Sequence, residues 1–389
     1  METLAVLTLI CASILATPVQ PPATEPKAAE KPLPVLSLNI RCDRSGLKVG
    51  DEVPIVFTIK NEGTSQYDYQ DRSYDRSGRM NEYQLYAVDL RGKSVPDPRA
   101  KWQGGIGGGL SKGGKLTPGQ SFSKTIALNR WALLTTPGTY RVTAKYEIDY
   151  GRGTVVSDPI TIKLNPRTDR EMARHIEKLA SQLKHATDED IRKSLVRKLM
   201  YTCDLRTIPA LIGAMYKADP ATYWAGEAFN YYLPPHPDVN DAIVRAASTR
   251  GLAQGMFWIL KQRGFSAEQI MPLIDVSLSP ANPDAWPQGA IAAQQYSHDR
   301  FAPRLIAIAT DTDSNARSQA IYALAFNRTD ESVATLKKLL VEPDPPNPRG
   351  RTIRQIAEDA IRTAYCYRGN TTGRPLRKDD FHPHYQKRQ

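Results

Sequence analysis

Between residues 35 and 164, apolar and polar positions alternate with a period of two. Leu36, Leu38 and Ile40 alternate before Ser45-Gly46 turns the chain; Val53, Ile55, Phe57 and Ile59 alternate before Asn61-Glu-Gly63 turns it again. The same pattern predicts strands at 83–90, 121–128, 140–148 and 155–164. Short alternating runs bounded by turn residues predict an antiparallel sandwich over 35–165. After Asn165-Pro166 the apolar period lengthens to about 3.6 and predicts helices.

The helical part repeats itself. Ile208-Pro-Ala-Leu-Ile212, Met271-Pro-Leu-Ile274 and Ala302-Pro-Arg-Leu-Ile306 are copies of one phrase, with prolines at 209, 272 and 303. A second phrase, Asp188-Glu-Asp-Ile-Arg192-Lys-Ser-Leu195, aligns without gaps on Asp313-Ser-Asn-Ala-Arg317-Ser-Gln-Ala320. Arg354, Ala357, Ala360 and Ile361 repeat it again. Two phrases on a common period predict helical hairpins that stack. Each proline is expected near a helix start, where its missing N–H has no partner to lose. Asp188 and Asp313 are expected as N-caps of the second helices. The pattern weakens at 219–232 and 280–296, around Tyr223-Trp224 and Trp286-Pro287.

Three phrases carry a resemblance: Lys48-Val-Gly50-Asp-Glu-Val, Leu116-Thr-Pro-Gly119-Gln and Thr136-Pro-Gly138-Thr-Tyr140. The last has the spacing of a tyrosine corner, although Val142 stands where antibody domains place a cysteine. Residues 35–165 resemble the immunoglobulin-like domains of exported bacterial proteins, some of which are described as proteinase-inhibitor-like. Residues 168–367 resemble HEAT-type repeats. The fold class implied is multidomain all-β plus all-α: an immunoglobulin-like β-sandwich followed by an α-α superhelix of HEAT-like hairpins.

Composition changes the picture mainly at the ends. Residues 4–16 are strongly apolar, too short to span a bilayer, and followed by Thr-Pro, which fits a cleaved signal peptide at 1–16. Residues 17–34 are Pro, Ala, Glu and Lys with little to bury, a semi-extended linker. Residues 368–389 read as a polar tail. The expected location is therefore secreted or periplasmic, with no transmembrane segment after the signal peptide. The net charge of +11 is spread over both halves, which argues against a nucleic-acid partner. Cleavage would leave Cys42, Cys203 and Cys366. The last two fall on helical stretches as small core residues and are not expected to pair.

No motif predicts catalysis. Gly109-x4-Gly114-Lys115 has phosphate-loop spacing, but Leu116 replaces the magnesium-holding hydroxyl. It reads as a loop between strands. His382 and His384 lack further ligands, and Asp68, Asp71 and Asp75 lack the EF-hand spacing. No cofactor, metal site or catalytic residue is expected, and the chain is expected not to be an enzyme. Segment 67–78 has the composition of a binding loop, with Tyr67, Tyr69, Arg72, Tyr74 and Arg76 as its anchors. The aromatics at 223, 224, 231, 232, 257 and 258 are expected to pack between helices. The function expected is binding or scaffolding of another protein or envelope component. One alternative is a protease inhibitor acting through 67–78 or 104–115. Another is an enzyme or enzyme accessory whose titratable groups cluster between the domains.

Overall fold

A computed structural model describes residues 33–366 apart from 73–78, 80, 81, 101–110, 149–151, 218, 297, 328 and 342–350. The predicted signal peptide, most of the linker and the C-terminal tail lie outside the described residues. Sheets fill the N-terminal region and helices the C-terminal one.

Nine strands are described: β1 (Leu36–Arg41), β2 (Pro54–Asn61), β3 (Tyr67–Arg72), β4 (Tyr83–Asp89), β5 (Ser111–Leu116), β6 (Ser121–Ala127), β7 (Gly138–Ile148), β8 (Gly153–Val156) and β9 (Ile160–Leu164). Every pair of these strands is antiparallel. One sheet runs β1-β2-β6, β3 pairs with β5, and β4 pairs with β7, which carries both β8 and β9. The registers place like with like across strands: Ile40 faces Phe57, Ile55 faces Ile126, and Tyr83 faces Tyr146. All sheets bury their inner faces in one core built on Phe57, Tyr83, Leu85, Val142 and Tyr146. The run at 155–164, expected as one strand, is divided. The Ser157 side chain accepts from Ala144 N at 2.9 Å, and Pro159, with no N–H to pair, lies between β8 and β9.

Twelve α-helices follow among the described residues: α1 (Asp169–His185), α2 (Glu189–Tyr201), α3 (Ile208–Met215), α4 (Ala221–Glu227), α5 (Pro237–Arg250) and α6 (Met256–Gln262) come first. Then come α7 (Ala267–Ser277), α8 (Trp286–Tyr296), α9 (Ala302–Thr310), α10 (Arg317–Asn327), α11 (Asp330–Val341) and α12 (Ile353–Cys366). Helices form at 221–227 and 286–296 even though the repeat pattern fails there.

The repeat phrases acquire physical content here. Arg192 and Arg317, aligned in the sequence, are both buried. Arg192 donates to the carbonyls of Leu183 and Ala186, and Arg317 to that of Ala309 at 2.9 Å. Each thus satisfies carbonyls at the end of the preceding helix. Arg354 departs from the pattern and is exposed, although Ala357, Ala360 and Ile361 are buried. Asp188 caps α2 through Ile191 N at 2.8 Å. Asp313 does not cap: α10 starts four residues later, at Arg317, after a turn in which Asp311 binds Asp313 N and Ser314 binds Ala316 N. Pro209 and Pro303 stand in first turns. Pro272 is inside α7, because a Ser266–Gln269 capping box starts that helix earlier than the phrase indicated.

Cys203 corrects another expectation. It lies just past the end of α2 rather than on a helix, at φ 54°, with its N–H on Met200 O. This is the left-handed stop that glycine usually supplies. Burial pushes its thiol up to about 12, so it stays protonated.

Candidate functional site

The predicted binding loop is largely a strand. Tyr67 is buried, with its hydroxyl 3.1 Å from that of Tyr146. Tyr69 stacks on Phe122 at 4.4 Å between centroids and lies so close over Gly114 that any Cβ there would strike its ring. Both were expected to be free anchors. Instead they belong to the β3–β5 pair, because alternation along β3 turns their rings onto the body of the sheets. Arg72 ends β3, while Tyr74, Arg76 and Asp75 lie outside the described residues. The described part of the glycine-rich segment, 111–115, is strand β5 rather than a loop. The two segments offered for protease inhibition therefore pair with each other where they are described, and are not open loops there. Among the described residues no three His, Cys, Asp or Glu side chains gather as metal ligands. His382 and His384 lie outside them.

Titratable groups do gather where the sheets meet the helices. At one contact, Lys48 Nζ reaches Glu171 at 2.7 Å, and Arg167 binds Asp51 at 2.7 Å and the Val49 carbonyl at 2.9 Å. Glu171 also closes the Thr168 capping box of α1, so one carboxylate both starts the helix and docks it. The hydrogen bonds from Lys48 and Thr168 hold its pKa down to about 2. Gly50, at φ +87°, sits against Met172, where a Cβ would come within 2.9 Å of the methyl carbon.

The second contact is more deeply buried. Arg99 and Glu227 pair at 2.7 Å, both out of solvent, and the Arg99 guanidinium covers the Tyr231 ring at 4.8 Å. Arg130 and Arg197 lie 5.0 Å and 5.6 Å from the Trp224 ring centre, and Arg197 reaches Glu52 at 3.5 Å. Tyr232 donates to the Asn129 carbonyl at 3.2 Å. Asn129 is itself fixed by Val53 N at 2.7 Å and by donating to the Asp51 carbonyl.

A π-helical turn, Ala228–Tyr232, continues α4 and closes with Leu233 N on Ala228 O. Such turns place one extra residue in a helix and often mark functional sites. Here the turn carries Tyr231 to Arg99 and Tyr232 to Asn129, and Arg263 satisfies its Phe229 carbonyl at 2.6 Å.

Burial pushes the Glu227 carboxyl up, further than Arg99 and Arg130 pull it down. For Arg99, burial opposes the charge, but Glu227 and the surrounding tyrosines outweigh it and raise its pKa. Burial thus works against both charges, and each partner's attraction for the other works against burial. Burial, followed by Glu227, lifts Tyr223 to about 12. None of this was legible in the sequence, since residues 52, 99, 130 and 197 share no local spacing with one another or with the adjacent turn that carries Glu227 and Tyr231.

The aromatics of the helical region divide. Trp224, Tyr232 and Phe257 are buried as expected, whereas Tyr223 is 42 % exposed and Trp258 45 %. Each exposed ring stands edge-on to its buried neighbour, Tyr223 on Trp224 at 5.4 Å and Trp258 on Phe257 at 4.9 Å. Elsewhere, a cavity of about 380 Å³ opens among Tyr216, Lys217, Arg250 and Asn282, with the Arg250 guanidinium 3.7 Å above the Tyr216 ring centre. Among the described residues no helix is long and apolar enough to cross a membrane.

No family model matches the chain. No curated protein matches its sequence. Among solved structures it is similar to human deoxyhypusine hydroxylase in complex with glycerol, at 14 % identity over 49 % of this chain and 73 % of that one, with a TM-score of 0.24. It is also similar to the complex of CpcE and CpcF of phycocyanin lyase from Nostoc, at 14 % identity over 49 % and 83 %, with a TM-score of 0.22. Likenesses this distant assign no activity here. They do correct the expectation that the chain is not an enzyme: one neighbour is a hydroxylase by name and the other a lyase, and that expectation is withdrawn.

Proposed function

We propose that this chain is an exported binding or scaffolding protein whose partner is another protein or envelope component. In this reading, residues 35–165 are an immunoglobulin-like sandwich and 168–367 a HEAT-type array. The tyrosine-corner bond supports the first assignment: Tyr140 donates to the Thr136 carbonyl at 2.7 Å. The equivalent buried arginines, Arg192 and Arg317, support the second. The apolar run at 4–16 supports export.

One observation carries the binding role. Tyr223 and Trp258 are large, half-exposed rings held rigid by buried aromatic neighbours, the form that interface anchors take. Arg72, Tyr74 and Arg76 are the second proposed contact, on composition alone. The test is capture of a partner from envelope extract by the full chain, followed by affinity measurement with the identified partner. A Trp258→Ala chain should bind about thirtyfold more weakly, equivalent to about 2 kcal/mol, while its melting temperature stays within a few degrees; Tyr223, which also hydrogen-bonds the buried Arg99–Glu227 pair, is left in place. Unchanged affinity would remove the helical face from the reading.

A second reading, an enzyme or enzyme accessory with its site between the two regions, is favoured by the raised Glu227 carboxyl beside Arg99 and Arg130. A Glu227→Gln chain that still captures the partner but no longer supports the partner's activity would select it.

A further inference from the structure

Two buried donors in the second contact have no acceptor among the described residues: the Tyr201 hydroxyl and the Arg197 Nε. They stand four residues apart on α2 and so share one face of that helix. Tyr201 is 3 % exposed, and its ring is held edge-on to Tyr232 at 5.8 Å, so its hydroxyl lies out of reach of bulk water. The charged groups acting on that hydroxyl are Arg130, Glu52, Arg197 and Glu227, contributed by both regions. Native proteins seldom leave buried donors unanswered without a water, an ion or a ligand to answer them.

The charges of the niche do not balance either. Glu227 is taken by Arg99 and Glu52 by Arg197, while Arg130 has no carboxylate within 4.0 Å among the described residues. Its guanidinium rests on Trp224 instead. A water molecule would satisfy the two donors and leave that charge unanswered. An anion with acceptor oxygens answers both. The Arg197 side chain is 31 % exposed, which leaves one flank of the niche open to solvent.

We propose that this niche binds a small oxyanion, a carboxylate or phosphate group, with Tyr201 and Arg197 donating to its oxygens and Arg130 supplying the counter-charge. Recognition of this kind is charge-assisted and favours planar or tetrahedral oxygen groups over halide. The niche borders Tyr223, whose ring stands edge-on to Trp224, but anion binding there does not depend on Tyr223 or Trp258 having a partner.

The test titrates the full chain with inorganic phosphate and, separately, with acetate, holding ionic strength constant with sodium chloride. Heat of binding and melting temperature are read together. Saturable heat is expected, with a melting temperature that climbs with ligand concentration as mass action requires. Tyr201→Phe keeps the ring and removes one donor, and Arg130→Gln removes the surplus charge. Each should weaken binding about tenfold or more. Arg250→Gln, in the distant helical cavity, should leave it unchanged. Tighter binding of phosphate than of acetate assigns a phosphorylated ligand, and the reverse a carboxylate. Absence of saturable heat in the unaltered chain, or equal binding by Tyr201→Phe, overturns the proposal and leaves the niche to water.

Discussion

The two regions hold their interiors together by different means. The sheets are centred on aromatic rings: Phe57, Tyr83 and Tyr146 meet at 5.1 to 6.5 Å, and the hydroxyls of Tyr67 and Tyr146 are paired inside. The helices rely mainly on Leu, Ile and Ala, and two buried arginines, Arg192 and Arg317, tie α2 and α10 to the end of the helix before each. A ring cluster shared by facing sheets stands or falls as a unit. A row of helices in which each touches mainly its neighbours loses stability piece by piece. Between them lies a polar seam that neither core supplies.

That contrast is breakable by experiment. Phe57→Ala deletes the ring on which Tyr83 and Tyr146 pack, at an expected cost of about 4 kcal/mol. Amide exchange should then speed up across β1 to β9 while α8 to α10 keep their protection. Equal loss in both regions would show that they unfold as one body.

Arg99→Met addresses the seam. It leaves the Glu227 carboxylate buried without its partner and should cost about 3 kcal/mol. Because Glu227 is raised in the fold, this cost should shrink as pH falls toward 4.5 and the carboxyl takes up a proton. Adding Glu227→Leu should restore most of the loss. Denaturant titrations at pH 5 and pH 7.5 measure both effects, and a pH-independent loss would mean that packing rather than charge is at stake.

The smallest effect lies at Glu171. Its pKa is depressed in the fold to about 2, so the Lys48 contact and the α1 cap contribute fully above about 4.5 and are lost as pH falls through 2. Amides at the start of α1 should lose protection over that window. Glu171→Gln should flatten the dependence.

Much of the fold was legible because each core face leaves a local period. The alternation at 53–59 and at 140–148 is that of β2 and β7, and the Asp188 phrase marks the cap of α2. The failures share a cause. Tyr67, Tyr69 and the glycines at 113 and 114 read as loop because their polar and glycine neighbours hide the alternation; the space Gly114 leaves is filled by the Tyr69 ring. The seam was invisible because its members lie on separate elements, and a long-range pairing leaves no mark on neighbouring positions.

The five-residue turn at 228–232 makes one demand of the gene as well as of the chain. Each residue of an α-helix advances the face by about 100°. Loss of a single codon there would leave an ordinary helix with nearly the same composition. Yet Tyr231 and Tyr232 take their aim from the turn itself, and closing it to an α-helix would swing them away from Arg99 and Asn129. The reading frame would be intact and the helix sound, but the two halves of the protein would no longer fit each other.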